Sequence, residues 1–381
     1  MDNLTHSLFA FTLARTRLGR AGRGTTAALL LASNAPDIDI VATTGGAINY
    51  LKWHRGPTHG PLGILALGVI TAGLVWAGRR VLDRRRSPAE ATAAANIDPD
   101  ASFAMLVAVS MIGVLLHVLM DLPTSYGTRT LSPFDWHWFA VDWMPIIDVY
   151  LLVILVAGTM GFGRRSAAVR RRNATVVLTL MAAYYGMRGY AHHRALELVP
   201  KVFGPTLAPW CDPEEARVRP IDAWPKEKPP PSPAEGKRCL VDVAALPTFG
   251  SPFSWRIVAQ YSNAYEIRDI DLLDGQFRDS DVETEAPWRL TLRYPNVWTP
   301  TVMQAADTDL GQVFLGFSRF PAARSAVDVR GATTVRWTDM RFAGAVVPGD
   351  QVMGRSNLFT AVVRIDASGR VIQETLGQAP R

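Results

Sequence analysis

The stretch that decides the fold runs from Phe103 to Asp121, FAMLVAVSMIGVLLHVLMD. From Phe103 to Met120 it is almost wholly apolar, close to the roughly 20 residues a helix needs to cross a bilayer. It closes on His117 and Asp121, four positions apart. That spacing puts both side chains on one helix face, one turn from each other. Neither belongs in hydrocarbon without a partner or a task. Two more polar clusters adjoin apolar runs in the same way: Asn34-Ala35-Pro36-Asp37-Ile38-Asp39 and His54-Arg55-Gly56-Pro57-Thr58-His59.

The rest of the composition agrees with a membrane reading. The chain has 381 residues, room for two domains, of which 48% are hydrophobic and only 19% charged. The net charge is +6, but the basic residues are arginine blocks set between apolar runs. Such blocks point to membrane topology, and no nucleic-acid-binding motif accompanies them. Met1-Asp2-Asn3 lacks a basic leader and no small-residue cleavage site follows, so no ordinary signal peptide is expected. The two cysteines, Cys211 and Cys239, exclude a cysteine zinc site and allow one disulfide if their region faces an oxidising compartment.

Taken in order, residues 4–14 and 25–33 form a short apolar hairpin, with Pro36 bending the chain after it. Spans are expected at 60–77, 103–120, 145–162 and 174–190, with loops at 87–101 and 122–145. The second loop carries Trp136, Trp138 and Trp143, residues that favour a membrane interface. Arginines crowd 15–23, 79–86 and 164–172. By the positive-inside rule these loops are cytoplasmic. His6, Asp37, Asp39, His54, His59, His117 and Asp121 then all fall at the opposite face. Residues 196–239 read as a proline-rich linker with Pro229-Pro230-Pro231 and Pro233. Beyond 240 the period becomes two, as in Trp288–Tyr294 and Thr334–Trp337, and 357–374 reads as a hairpin around Asp366-Ala367-Ser368-Gly369. The expected architecture is a mainly α-helical membrane bundle over 1–195, the linker, and an extracytoplasmic antiparallel β domain over 240–381.

Imidazole and carboxylate donors suit a divalent metal, zinc first, with manganese or iron as alternatives. His117 and Asp121 could bind one ion, and His6, Asp37, His54 and His59 could complete one or two. Each has a plainer reading. His6 could sit at a helix start with Thr5 as N-cap, Asp37 and Asp39 could cap or turn the chain, and His54 and His59 could be interfacial. His117 could simply pair with Asp121. His137, His192 and His193 read as interface residues, and Asp135, Asp142 and Asp148 as structural acids.

The order Thr5-His6-Ser7, Pro36-Asp37-Ile38-Asp39, His54-Arg55-Gly56-Pro57-Thr58-His59 and His117-xxx-Asp121 resembles the YdjM-type predicted membrane-bound metal-dependent hydrolases. The resemblance covers residues 1 to about 160. That family is distantly similar to zinc-dependent phospholipase C and the S1/P1 nucleases, helical enzymes that cleave phosphoesters with several zinc ions. The resemblance implies metal roles for His6, Asp37, His54, His59, His117 and Asp121, and a bacterial inner-membrane location. Asp39 then becomes a base or a support behind the ligands, with Asp37 the other catalytic candidate. The chain lacks the tryptophan-initiated N-terminus whose amine helps hold metal in those relatives, which argues against a complete trinuclear site. The expected function is hydrolysis of a phosphoester in a lipid or lipid-linked substrate at the outer leaflet, with Arg55 and Arg129 holding the phosphate. The competing expectation is a non-catalytic membrane scaffold or receptor, with a structural metal and a partner-binding β domain. A metal transporter is disfavoured because the ligands gather at one face.

Overall fold

The computed structural model describes residues 1–87, 99–160, 166–213, 219–226, 238–274, 292–343 and 359–377. They form a helical N-terminal region followed by a sheet-rich C-terminal part, divided into two compact units. The first holds Met1–Val41 and Trp53–Gly189, the second Ala42–Lys52 and Tyr190–Arg381. Several expected features lie outside the described residues: Pro229–Pro231 and Pro233, Arg164 and Arg165, residues 88–98, and the first half of the Trp288–Tyr294 alternation.

The first unit is built on helices α1 (Asn3–Leu13), α2 (Thr25–Ala32), α4 (Pro61–Arg84), α5 (Phe103–Asp121), α6 (Val149–Met160) and α7 (Ala167–Glu197, which runs on into the second unit), while α3 (Ala47–Trp53) belongs to the second unit up to Lys52. Local chemistry sets their starts. Asp2, not Thr5, caps α1, accepting from the Thr5 amide at 3.0 Å and the Thr5 hydroxyl at 2.6 Å. Ser102 caps α5 through the Met105 amide, and Pro61 opens α4 where no amide hydrogen is needed. Asp148 is an N-terminal cap too, accepting from the Leu151 amide at 2.8 Å and from the Tyr184 hydroxyl at 2.9 Å. That accounts for a carboxylate beside an apolar run.

Small residues set how closely these helices approach. A side chain on Gly68 of α4 would lie 3.1 Å from the Met111 Cα of α5, and one on Gly113 of α5 would lie 2.9 Å from Ala32 of α2. Ala10, Ala28, Leu29, Ala72, Leu106 and Val109 fill the core between them. Phe9, Met120, Met144, Leu151, Leu155 and Val177 form a second cluster. Association through small residues is the mode open to helices in lipid, where apolar burial alone gives little drive.

Two described helices, α4 and α5, are long and apolar enough to cross a membrane, where the sequence reading expected four spans. At 1.5 Å per residue they reach about 36 and 28 Å, whereas the 12 residues of α6 reach about 18 Å. Helix α7 is long, but Tyr184, Tyr185 and Arg188 interrupt its apolar character. Leu65, Val69, Ile70 and Leu74 of α4 stay exposed, as do Met105, Leu115 and Leu119 of α5. An apolar surface of that extent suits lipid better than water.

The arginine blocks gather at one end of the bundle. Arg23 pairs with Asp83 and, at 2.7 Å, with Asp100, while Arg79 donates to the Ala101 carbonyl at 3.0 Å. These contacts join the start of α2, the end of α4 and the start of α5. The opposite ends of α4 and α5 carry His59 and Asp121.

The second unit has two four-stranded antiparallel sheets. Strands β1 (Leu240–Pro247), β2 (Ser254–Tyr261), β3 (Ala264–Asp271) and β4 (Leu292–Pro295) pair in sequence order. Strands β5 (Pro321–Val327), β6 (Thr333–Asp339), β7 (Thr360–Ile365) and β8 (Val371–Leu376) do the same. Helices Pro300–Ala306 and Asp309–Phe317 lie between them in the chain. Period two places Val258, Tyr265 and Ile267 against Phe320, Ala322 and Met340, and turns Trp255, Ile257 and Tyr261 toward Val199, Val202 and Phe203. Part of the expected linker is therefore core. Cys211 and Cys239 form a disulfide, their backbones aligned by the Cys211 amide donating to Leu240. The expected hairpin turns at Gly369, where φ is +85°.

Gly68→Val should destabilise the protein by about 1–3 kcal/mol, because α4 and α5 cannot move apart freely. Gly73→Val, at a site with open space around it, should cost no more than its helix propensity. Thermal melting in detergent compares the two.

Candidate metal centre

Asp37, His59, His117 and Asp121 converge so that one donor atom from each lies within 4.8 Å of all the others. They come from four chain positions. Asp37 sits on the 3-10 segment Ala35–Gly45, His59 in the turn before α4, and His117 and Asp121 on the last turns of α5. His59, His117 and Asp121 are fully buried, and Asp37 is the most open, its side chain 20% exposed.

The nitrogens are aimed. His117 Nδ1 lies 2.8 Å from the Ser33 carbonyl. A carbonyl only accepts, so Nδ1 carries the proton and Nε2 presents a lone pair inward. The Nε2 atoms of His117 and His59 stand 3.3 Å apart. Asp37 Oδ1 is 3.6 Å from His117 Nε2, and Asp121 Oδ2 is 3.5 Å from it. Asp37 Oδ2 is buried with no hydrogen-bond donor among the described residues. Lone pairs and carboxylate oxygens facing one buried point repel unless a cation lies between them. The donor set therefore fits a divalent ion.

The surroundings divide into groups that touch this quartet and groups that brace it. His6 stacks on His117 with centroids 3.9 Å apart, and its Nε2 is 3.3 Å from Asp121 Oδ1. The Met1 amine contacts the same Oδ1. Arg55 Nη2 is 3.1 Å from Asp121 Oδ2, while its Nη1 donates to the Gly127 carbonyl at 3.0 Å. Asp39 Oδ2 accepts from the Arg55 amide at 2.6 Å and lies 3.2 Å from His54 Nδ1. That amide bond holds Arg55 at φ +49°, a strained angle for a side-chain-bearing residue.

The sequence that carries these residues has relatives among known proteins. Residues 1–195 match the family described as YdjM inner membrane protein. The chain belongs to that family. A similar protein is the uncharacterized YfhP of Bacillus subtilis (strain 168), 25% identical over 163 residues. The aligned part is 43% of this chain and 42% of YfhP, so less than half of that relative's length is spanned. No solved structure matches. The matched YdjM region contains every residue of the quartet.

Of the six expected ligands, four meet directly, His6 abuts them, and His54 stands one residue back, behind Asp39. Arg55 lies in the centre. Arg129 packs on Trp138 and Trp136, at 4.4 and 5.1 Å from their ring centroids, and burial pulls its pKa down to about 10. His137 is bound to Asp135, His193 to Glu197, and His192 lies against Trp255, so all three are apart from the quartet. Sequence reasoning missed the Ser33 carbonyl, since a backbone oxygen leaves no pattern, and it discounted a terminal amine for want of a leading tryptophan, whereas the Met1 amine lies on Asp121.

Asp39→Asn, which leaves the quartet intact, should weaken metal binding by about 10–100-fold. His117→Ala and Asp121→Asn should abolish it, and His137→Ala should not change it. Metal analysis of folded, purified variants reads each outcome.

Burial holds His59 well below its ordinary pKa of 6.5, with His117 adding to the effect, and burial outweighs the pull of Asp39 on His54. Both rings are neutral in the fold and protonate more readily when unfolded. Metal-free protein should therefore lose stability as pH falls through 6.5. Burial raises Asp37 instead, which opposes that loss once pH falls to its raised folded pKa and below. Chelator-treated protein melted across this range shows the slope.

Proposed function

We propose that this YdjM-family protein is an integral membrane metal-dependent hydrolase that cleaves a phosphoester in a lipid or lipid-linked substrate. The observation that carries the reading is a buried His/Asp quartet whose one partly exposed member, Asp37, stands among exposed apolar residues. Ile38, Ile40 and Val41 flank Asp37 and Asp39 and are more than half exposed. Leu131, Phe134 and Trp136 are exposed on the following loop, and Trp53 meets Trp136 edge to face at 5.7 Å. Aromatic and branched apolar side chains around a polar centre suit a substrate with a charged head and a hydrocarbon tail.

Asp37, His59, His117 and Asp121 would hold the ion, with His6 beside it. A bound divalent ion lowers the pKa of a coordinated water and supplies a nucleophile near neutral pH. Zinc suits the two imidazoles and two carboxylates, and manganese and iron take the same donors. Arg55 aligns Asp121 and brings a fixed positive charge to the place where a phosphate would sit. Asp39 stands outside the quartet and, paired with His54, is the carboxylate left for proton transfer.

One observation supports a centre on the extracytoplasmic side: arginines occupy the opposite end of α4 and α5, which suits the cytoplasm.

Purified protein in mixed micelles should release product from a phosphoester lipid, tested over phosphatidate and polyprenyl phosphates and pyrophosphates. Chelation should abolish the turnover. Asp39→Asn assayed at saturating metal should lower kcat by about 10²–10⁴-fold. Metal-loaded protein that cleaves none of the panel would point to a structural ion.

A further inference from the structure

The end of the first unit away from the metal centre carries a second recess, of about 570 Å³. It lies between the chain after α1 and the first turns of α7. Arg17, Arg171 and Arg172 line it with Thr16, Thr175 and Val176. Among the described residues none of these three guanidinium groups has a carboxylate partner. At the same end Arg23 pairs with Asp83 and Asp100, and Arg86 with Asp83. The charge around the recess is crowded as well: burial and the neighbouring Arg170 both hold Arg15 below its ordinary pKa. Three converging cations without counter-charges, set around a cavity, form a receptor for an anion.

The wall of the recess identifies the anion further. Val176 and Leu180, one turn apart on α7, are each 51% exposed. Together they make an apolar track that starts inside the recess and runs along the helix. A free inorganic anion has no use for such a track, whereas an acyl chain does. The recess also lies at the arginine end of a bundle whose family resides in the inner membrane. Basic pockets beside membrane helices there meet anionic lipid.

We infer that Arg17, Arg171 and Arg172 form a binding site for the phosphate head of an anionic glycerophospholipid, whose acyl chain lies along Val176 and Leu180. The site is separate from the metal centre. It anchors the protein to the anionic leaflet and takes no part in the chemistry.

The test is a lipid titration of the full-length protein in non-ionic detergent, read by thermal melting. Dioleoylphosphatidylglycerol should raise the melting temperature saturably, and dioleoylphosphatidylcholine should not. In Arg17→Gln/Arg171→Gln/Arg172→Gln the midpoint should move to about 100-fold higher lipid, with the metal content unchanged. Each single variant should move it part of the way. The equal-charge control Arg80→Gln/Arg84→Gln/Arg86→Gln should titrate like wild type. An equal response to phosphatidylcholine, an unmoved midpoint in the triple variant, or an equal loss in the control would overturn the site. A saturable shift with inorganic phosphate alone, lost in the triple variant, would assign the recess to a free anion and overturn the lipid. Unchanged metal in the triple variant keeps the outcome apart from that of the proposed hydrolase.

Discussion

The carboxylate of Asp121 is the group around which the N-terminal unit is arranged. It sits at the end of an apolar helix with no exposed surface. Burying a carboxylate is costly unless it is paired and hydrogen-bonded. The protein answers from every side. Arg55 approaches one oxygen, the Met1 amine and His6 the other, and His59 and His117 close the remaining space. These partners come from the chain start, α1, the turn before α4, and α5 itself. Satisfying one acid thus fixes how four segments meet.

The rest of the unit makes that meeting possible. Helices α4 and α5 lie close because Gly68 gives way to Met111, and α2 reaches α5 because Gly113 gives way to Ala32. The second contact brings the Ser33 carbonyl onto His117. Small-residue packing is therefore linked to tautomer choice. A wider spacing would free the Nδ1 proton, and Nε2 would lose its fixed inward lone pair. Three carboxylates, Asp37, Asp39 and Asp121, gather here; the Arg55 guanidinium and the Met1 amine meet Asp121, while Asp39 takes the Arg55 backbone amide. The remaining negative charge is what a divalent cation would complete.

Much of this was legible in the sequence. The i, i+4 spacing of His117 and Asp121 announced a shared face, and the arginine blocks announced which polar clusters lie together. The strand at Thr334–Trp337 and the hairpin at Asp366–Gly369 followed from period two and turn chemistry. Other features were not legible, for physical reasons. Among the described residues α4 and α5 have the length and apolarity of a span, and on α7 Tyr184 and Arg188 do polar work, on Asp148 and the Trp143 carbonyl, that hydropathy does not measure. Asp148 read as an isolated acid because its partner, Tyr184, is 36 residues away. The proline-rich region hid Val199–Phe203, whose apolar side chains join the β core. The donor quartet was expected with six members. The ranking of His6 and His54 behind the other four depends on distances of a few tenths of an ångström, which no spacing rule carries.

X-ray absorption at the metal edge of the purified protein decides whether the quartet is a metal centre. One tightly bound divalent ion or more is expected. Its coordination would comprise nitrogen and oxygen donors at about 2.0–2.2 Å with the scattering signature of imidazole, lost in His117→Ala. A protein with no stoichiometric metal, or one whose metal keeps an all-oxygen hydrated shell unaffected by that substitution, would contradict it.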